Sequence, residues 1–307
     1  MFVDAYIVNA FVDGGIGGNP AGVVLDADRL SREQKQAIAA TIGMSETAFV
    51  SRSAVAGFKL EFFTPNRQIA HCGHATVATF ALLKELGIVS DGMTSKETID
   101  GNRDILIRDN MVFMEQRAPR YLPLSSGQVQ VALKALGTDM GKLLKDVEPS
   151  IVDTGTAFLI VPLRDERIVA NLELDLEAIA YMSERLDLVG LYVFSPQTKA
   201  SGRIAGARMF APRYGINEEA ATGMAAGQLA CFLYDRADIK QETMCIEQGY
   251  LMPKPSPSAI TVDLDVNDGA IRKLMAGGYA KPIKDFSVAV HPALLGQSSK
   301  KLSGHSL

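Results

Sequence analysis

Two stretches of this chain read as helices with no polar face. After "NRQIAHCGH", residues 75–86 are Ala, Val, Phe and Leu on nearly every side, and Gly87 stops them. After "RYGINEEAATG", residues 224–234 repeat the pattern with Ala, Leu, Cys and Phe. A helix apolar all round has to be enclosed, and the only abundant material around these two is strand. Their surroundings repeat as well. Phe63-Thr64-Pro65 and Cys72-Gly73 lead into the first helix, and Phe210-Ala211-Pro212 and Thr222-Gly223 lead into the second. Upstream, the helix 32–42 and "ETAFV" match "LDLEAIAYMSERL" and "LVGLYVFS". Helix, strand, strand, polar loop and buried helix thus occur twice in one order, and internal repetition outweighs any local signal about architecture.

The expected fold is therefore α+β, with two pseudo-symmetric lobes. Each is a curved or barrel-like, mostly antiparallel sheet wrapped around one central helix. The lobes are expected at 1–118 and 119–285, parted at the "RAPRYLPLSSG" loop, with 286–307 returning to the first. The polar end "QSSKKLSGHSL" reads as disordered. Locally, Ser31 with Gln34 makes a capping box for the helix 32–42, and Gly43 ends it. Gly15 and Gly17 precede Pro20 and "AGVVL" rather than a helix, so they read as a turn and not a dinucleotide loop.

Composition removes several function classes. The net charge of −4 comes with no basic stripe, which argues against nucleic acid. No run of 18 apolar residues suggests a membrane span. The start "MFVDAYIVNAFVDG" lacks the basic opening of a signal peptide. Three cysteines, Cys72, Cys231 and Cys245, form no disulfide framework, so a reducing, cytoplasmic location is expected.

The chemistry is expected where the polar loops meet the buried helices. Helix starts carry amide donors without partners and the positive end of the dipole, a seat for a carboxylate. Gly73 and Gly223 would let a ligand reach that backbone. Facing each other, the two starts would line one cleft for a small acid. Capping by Asn66, Thr222 or Glu219 is the competing expectation. His71, Cys72 and His74 lack a second Cys/His cluster, with His291 and His305 near the C-terminus, so neither metal nor organic cofactor is expected. Cys72 is either a thiol whose pKa the helix start lowers or a small residue in a tight turn. Glu46, directly before apolar "TAFV", is either an exposed acid or a base whose pKa the cleft raises.

Several of these residues resemble a known family. "GNPAGVVL", "ETAFV", "FFTPNRQIAHCGHAT", "RMFAP", "EEAATGMAAG" and "EQGYLMPKPS" are similar to the phenazine-biosynthesis PhzF family over about residues 3 to 290. That family has the diaminopimelate epimerase-like fold, which agrees with the duplicated lobes. The resemblance implies a cofactor-independent isomerase of a small carboxylic acid and a homodimer. Glu46 would shuttle the proton, while His74, Asn19 and Glu219 orient the substrate. Cys72, Gly73, Thr222, Gly223 and Met224 would line the site. The chain departs from the family's usual Glu-Asp-Pro-Ala-Thr-Gly-Ser: it reads Glu218-Glu219-Ala220-Ala221-Thr222-Gly223-Met224. Racemases of this fold use two cysteines, and Thr222 stands at the second position. A Cys72/Thr222 pair resembles hydroxyproline-type dehydratases and epimerases instead, which is one alternative. The other is a small-carboxylate binding protein without chemistry.

Overall fold

The computed structural model describes residues 2–290; the segment "QSSKKLSGHSL" and most of 286–307 lie outside them. The first repeat runs β1 (Phe2–Ala10), β2 (Asn19–Val24), α1 (Arg32–Ile42), β3 (Thr47–Ser51), β4 (Phe58–Phe63) and β5 (Gln68–Ile69). It continues through α2 (Gly73–Glu85), β6 (Gly92–Thr98), β7 (Gly101–Arg108) and β8 (Met111–Arg117). After β9 (Arg120–Leu122) and α3 (Ser126–Ala135), the second repeat runs β10 (Ser150–Asp153), β11 (Ala157–Pro162), α4 (Glu166–Ala170) and α5 (Leu176–Arg185). It ends with β12 (Gly190–Ser195), β13 (Ala205–Ala211), β14 (Ile216–Glu219), α6 (Gly223–Arg236), β15 (Thr243–Gln248), β16 (Ser258–Asn267) and β17 (Ala270–Ala289).

The pairings repeat with the elements. β2 lies parallel to β3 and β4 to β6; β11 lies parallel to β12 and β13 to β15. The other named strand pairs are antiparallel. β17 closes both lobes. Its first part pairs with β16 and β8, and from Ala280 onward it pairs with β1. The first lobe is therefore a closed eight-stranded ring, β1-β2-β3-β4-β6-β7-β8-β17. The second closes through the reciprocal exchange, because the chain leaving β8 becomes β9 and pairs with β10. The stretch expected to be only an interlobe loop thus contains a strand. Pro119, which has no N–H to give a ladder, separates it from β8. Where the rings share strands the backbones nearly touch: a Cβ on Gly277 would lie 2.2 Å from the Val112 carbonyl oxygen.

Each ring encloses its helix as the two apolar stretches require. Val77, Phe80, Leu82 and Leu83 of α2, and Leu229, Cys231, Phe232 and Leu233 of α6, are all buried. Each large apolar side chain withdrawn from water contributes about 1.5–3 kcal/mol. Thr76 and Thr79 are tolerated inside because their hydroxyls donate back to the Cys72 and Ala75 carbonyls, at 2.6 and 2.7 Å. On the outside, α1 has the expected Ser31/Gln34 capping box and Gly43 in the left-handed conformation. The glycines near residue 15 form a turn between β1 and β2, with no helix after them.

Candidate active site

α2 and α6 begin at Cys72 and Thr222, and neither residue caps its helix with a side-chain hydrogen bond. The other four α-helices are all capped, by Ser31, Ser125, Asp165 and Asp175. Among the α-helices of the described residues, first-turn amides therefore lack a side-chain cap only at the two enclosed helices. Of the residues considered as caps, Thr222 is engaged elsewhere: its hydroxyl donates to the Glu219 carboxylate. The two helix starts face each other: a Cβ on Gly73 would lie 3.9 Å from Met224 Cγ of the second lobe. Gly223 is glycine for another reason, since a Cβ there would lie 2.9 Å from Cζ of Phe11. Phe11 is buried at a left-handed φ of 62° in the turn after β1, a strain that its surroundings hold in place.

His74 projects from the first turn of α2 between two carboxylates. Its Nε2 is 3.3 Å from Glu46 Oε2, and its Nδ1 is 3.4 Å from Glu219 Oε1. Cys72 Sγ lies 3.5 Å from the same Nδ1. Burial alone would pull His74 down, but Cys72, Glu219 and Glu46 around the ring hold it well above the usual imidazole range. Burial likewise pushes Glu46 up, yet contact with His74 and its charge more than reverse this, and the carboxyl lies below its ordinary value. The expected raised pKa of Glu46 is therefore corrected, because the cleft supplies a cation and not only apolar walls. Cys72 is corrected in the opposite sense. Burial raises its thiol, and the nearby His74 does not offset that, so the helix start leaves it protonated at neutral pH. Neither Glu46 Oε2 nor His74 Nε2 has a hydrogen-bond partner at a suitable angle, and both are buried.

The second lobe positions Glu219 by alternation along β14. Glu218 turns to the opposite side, where it takes Arg208 through two hydrogen bonds of 2.7 and 2.8 Å. Gln248, at the end of β15, fixes the backbone: its amide donates to Glu219 O at 2.7 Å, and its oxygen accepts from Thr222 N and the Tyr192 hydroxyl. Asn19 reaches across the lobes and donates to Ala221 O at 3.0 Å, so its N–H serves the α6 start. Gln248, Tyr192 and Phe11 all lie in stretches noted in the sequence, "EQGYLMPKPS", "LVGLYVFS" and "MFVDAYIVNAFVDG", but nothing local marks them as part of the site.

Of the cluster His71, Cys72 and His74, the structure keeps only two together. The His71 ring turns to Lys96, with Nδ1 3.3 Å from Nζ. Burial, Lys96 and Arg103 hold it well below the usual imidazole range. Glu46 takes its place, and one ligand-type atom each from Glu46, Cys72 and His74 lie within 4.8 Å of one another. A cation there would have to displace protons from both the imidazole and the thiol.

The family model described as phenazine biosynthesis-like protein, PhzC-PhzF, matches residues 8–283. An uncharacterised isomerase of Deinococcus radiodurans is 32% identical over 273 residues, covering 86% of this chain and 87% of that one. Trans-2,3-dihydro-3-hydroxyanthranilate isomerase of Pseudomonas chlororaphis is 30% identical over 262 residues, covering 81% and 87%. The crystal structure of a PhzF-family phenazine biosynthesis protein of Bacillus anthracis superposes with a TM-score of 0.85 at 25% identity, covering 94% and 100%. The repeated lobes, the facing helix starts and these matches agree: the chain belongs to the phenazine biosynthesis-like, or PhzC-PhzF, family.

Proposed function

We propose that this chain is a cofactor-independent isomerase of a small carboxylic acid, with Glu46 as the base that moves a proton between neighbouring carbons. What carries the reading is a single observation: Glu46 is a buried carboxylate with a free oxygen, set against His74 and two open helix starts. The carboxylate is ionised at neutral pH and ready to take a proton. A base with a depressed pKa can deprotonate carbon only if the charge that develops is held. The His74 imidazolium and the amides at Gly73 and Gly223 are preorganised donors for that charge, usually the largest single term in such catalysis. Glu46 removes the proton, the electron pair spreads toward the substrate's carboxylate, and the same carboxyl group returns the proton at the next carbon. Glu219 and Asn19 orient the ligand, and Met224 forms the wall opposite Gly73.

The alternative that uses Cys72 and Thr222 is disfavoured by their surroundings. It needs a thiolate, whereas burial keeps Cys72 protonated, and the Thr222 hydroxyl is committed to Glu219. The test is proton NMR in D₂O with trans-2,3-dihydro-3-hydroxyanthranilate and a panel of small unsaturated carboxylates. Deuterium uptake into at least one of them, in protein shown to hold no stoichiometric metal, is the expected result. Binding without uptake across the panel would make the protein a carboxylate binder and end the isomerase reading. A cytoplasmic homodimer with no nucleic-acid or membrane partner completes the proposal. Among the described residues no helix is long and apolar enough to cross a membrane. Light scattering that shows a monomer at micromolar concentration contradicts the assembly without touching the chemistry.

A further inference from the structure

Beneath the start of α2 lies a polar cluster that the proposed chemistry leaves unused. Lys96 on β6 has no exposed surface. Its Nζ is 2.6 Å from Thr76 Oγ1 and 3.3 Å from His71 Nδ1, and the centre of the Phe62 ring lies 5.3 Å away. The second lobe shows what the fold itself requires there. Lys96 sits opposite Phe58 on β4, and Ile246 sits opposite Ala205 on β13. Counting back from the matching Phe63 and Phe210, Phe58 and Ala205 are equivalent, so Ile246 stands where the first lobe has lysine. Ala226 and Ala221 likewise stand where it has Thr76 and His71. Burying an amine is costly unless its charge is used, and Ile246 shows that packing does not demand one.

A chain of hydrogen bonds runs from this amine to the site. Nζ donates to Thr76 Oγ1, and Thr76 donates to the Cys72 carbonyl at 2.6 Å. That carbonyl belongs to the same peptide unit as the Gly73 N–H, the first open donor of α2. In a low-dielectric interior each bond of such a chain polarises the next, so positive charge on Lys96 makes the Gly73 N–H a stronger donor to an anion. Burial pulls Lys96 down to about 7, with Arg103 lowering it further and Asp100 raising it. An anion seated on the helix start therefore draws it to full charge.

We propose that Lys96 is a positioning residue whose ammonium, acting through Thr76 and the Cys72–Gly73 peptide, makes the start of α2, and not that of α6, the seat of the substrate's carboxylate. The proposal rests on the carboxylate-isomerase reading above and deepens it, because it fixes which way round the substrate lies. Calorimetric titration of the full chain with anthranilate and with neutral anthranilamide tests it. Lys96→Met and Thr76→Val should each weaken anthranilate about tenfold, the scale of a charge-assisted hydrogen bond, and leave anthranilamide within about twofold. Equal affinity of wild type and Lys96→Met for anthranilate, or equal losses for both probes, would overturn the proposal. Should Lys96→Met fail the circular dichroism check for folding, Thr76→Val alone carries the same comparison. Absence of anthranilate binding to the wild type removes the carboxylate seat itself, and with it both this proposal and the reading beneath it.

Discussion

At the start of α2 the chain places His71, Cys72, His74 and Thr76 over Lys96; the equivalent positions at the start of α6 hold Ala221, Thr222, Met224, Ala226 and Ile246. The backbone is the same in both: an extended cap residue, a glycine, and first-turn amides with no side-chain partner. The first lobe, however, gathers several ionisable groups of its own around its helix start, whereas the second supplies Glu219 alone, which Thr222 and His74 share. The two copies thus share a way of presenting open amides in a closed core, while most of the ionisable side chains gather on one of them. The second copy is held chiefly by the neutral hydrogen bonds of Gln248, beside the one from the Thr222 hydroxyl to Glu219.

If the chemistry belongs to the first lobe and the scaffolding to the second, substitutions should separate the two. The largest effect is expected at Glu46. Glu46→Gln should lower turnover by at least the 10²–10⁴-fold of a lost general base, with carboxylate affinity within a few-fold of wild type by calorimetry. Gln248→Leu should act on folding instead. It leaves Thr222 N–H, Glu219 C=O and the Tyr192 hydroxyl buried without partners, a cost of about 3 kcal/mol in urea denaturation. Next come the two glycines. Gly223→Ala presses on Phe11 and should cost about 1–3 kcal/mol. Gly73→Ala meets only Met114 and Met224 at ordinary contact distances, so it should leave stability unchanged and impair ligand binding. Equal unfolding midpoints for the two variants would contradict this division. Smallest is Cys72→Ser, which should cost less than tenfold in turnover, about 1.4 kcal/mol of barrier.

How far the sequence showed this depends on the kind of signal. The two helices were legible because a fully apolar helix has one explanation, and their repetition gave the lobes. The shared closure by β17 was not, since strand exchange leaves no periodic trace. Neighbours along the chain placed Cys72, Gly73 and His74 correctly, because one turn of helix fixes them together. The raised pKa expected of Glu46 and one of the two readings of Cys72, the lowered thiol, fail for one reason: each depends on a partner distant in sequence or on burial depth. Lys96 escaped notice because "TSKETID" alternates like a strand with a solvated face, and nothing local says which face is inside. The choice of Glu219 over Glu218 came from the family resemblance, and the register of β14 against β13 supplies its physical reason.

The central claim is that an ionised Glu46 and a cationic His74 face each other in the resting site, and it can be read without a substrate. The chain has four histidines, and nitrogen-15 NMR of histidine-labelled protein, with His71→Gln and His74→Gln for assignment, reports the protonation of each ring. Linkage fixes the accompanying stability profile. His74, raised in the folded protein above 6.5, adds stability fully below that pH and loses it as pH rises through the folded value. Glu46, lowered below 4.5, adds stability above that pH and loses it as pH falls. The advantage of wild type over His74→Gln should therefore be greatest between pH 4.5 and 6.5. At pH 7.5 the spectrum should show His74 protonated on both nitrogens and His71 neutral. A His74 that is neutral there, titrating like a free imidazole, would contradict the account.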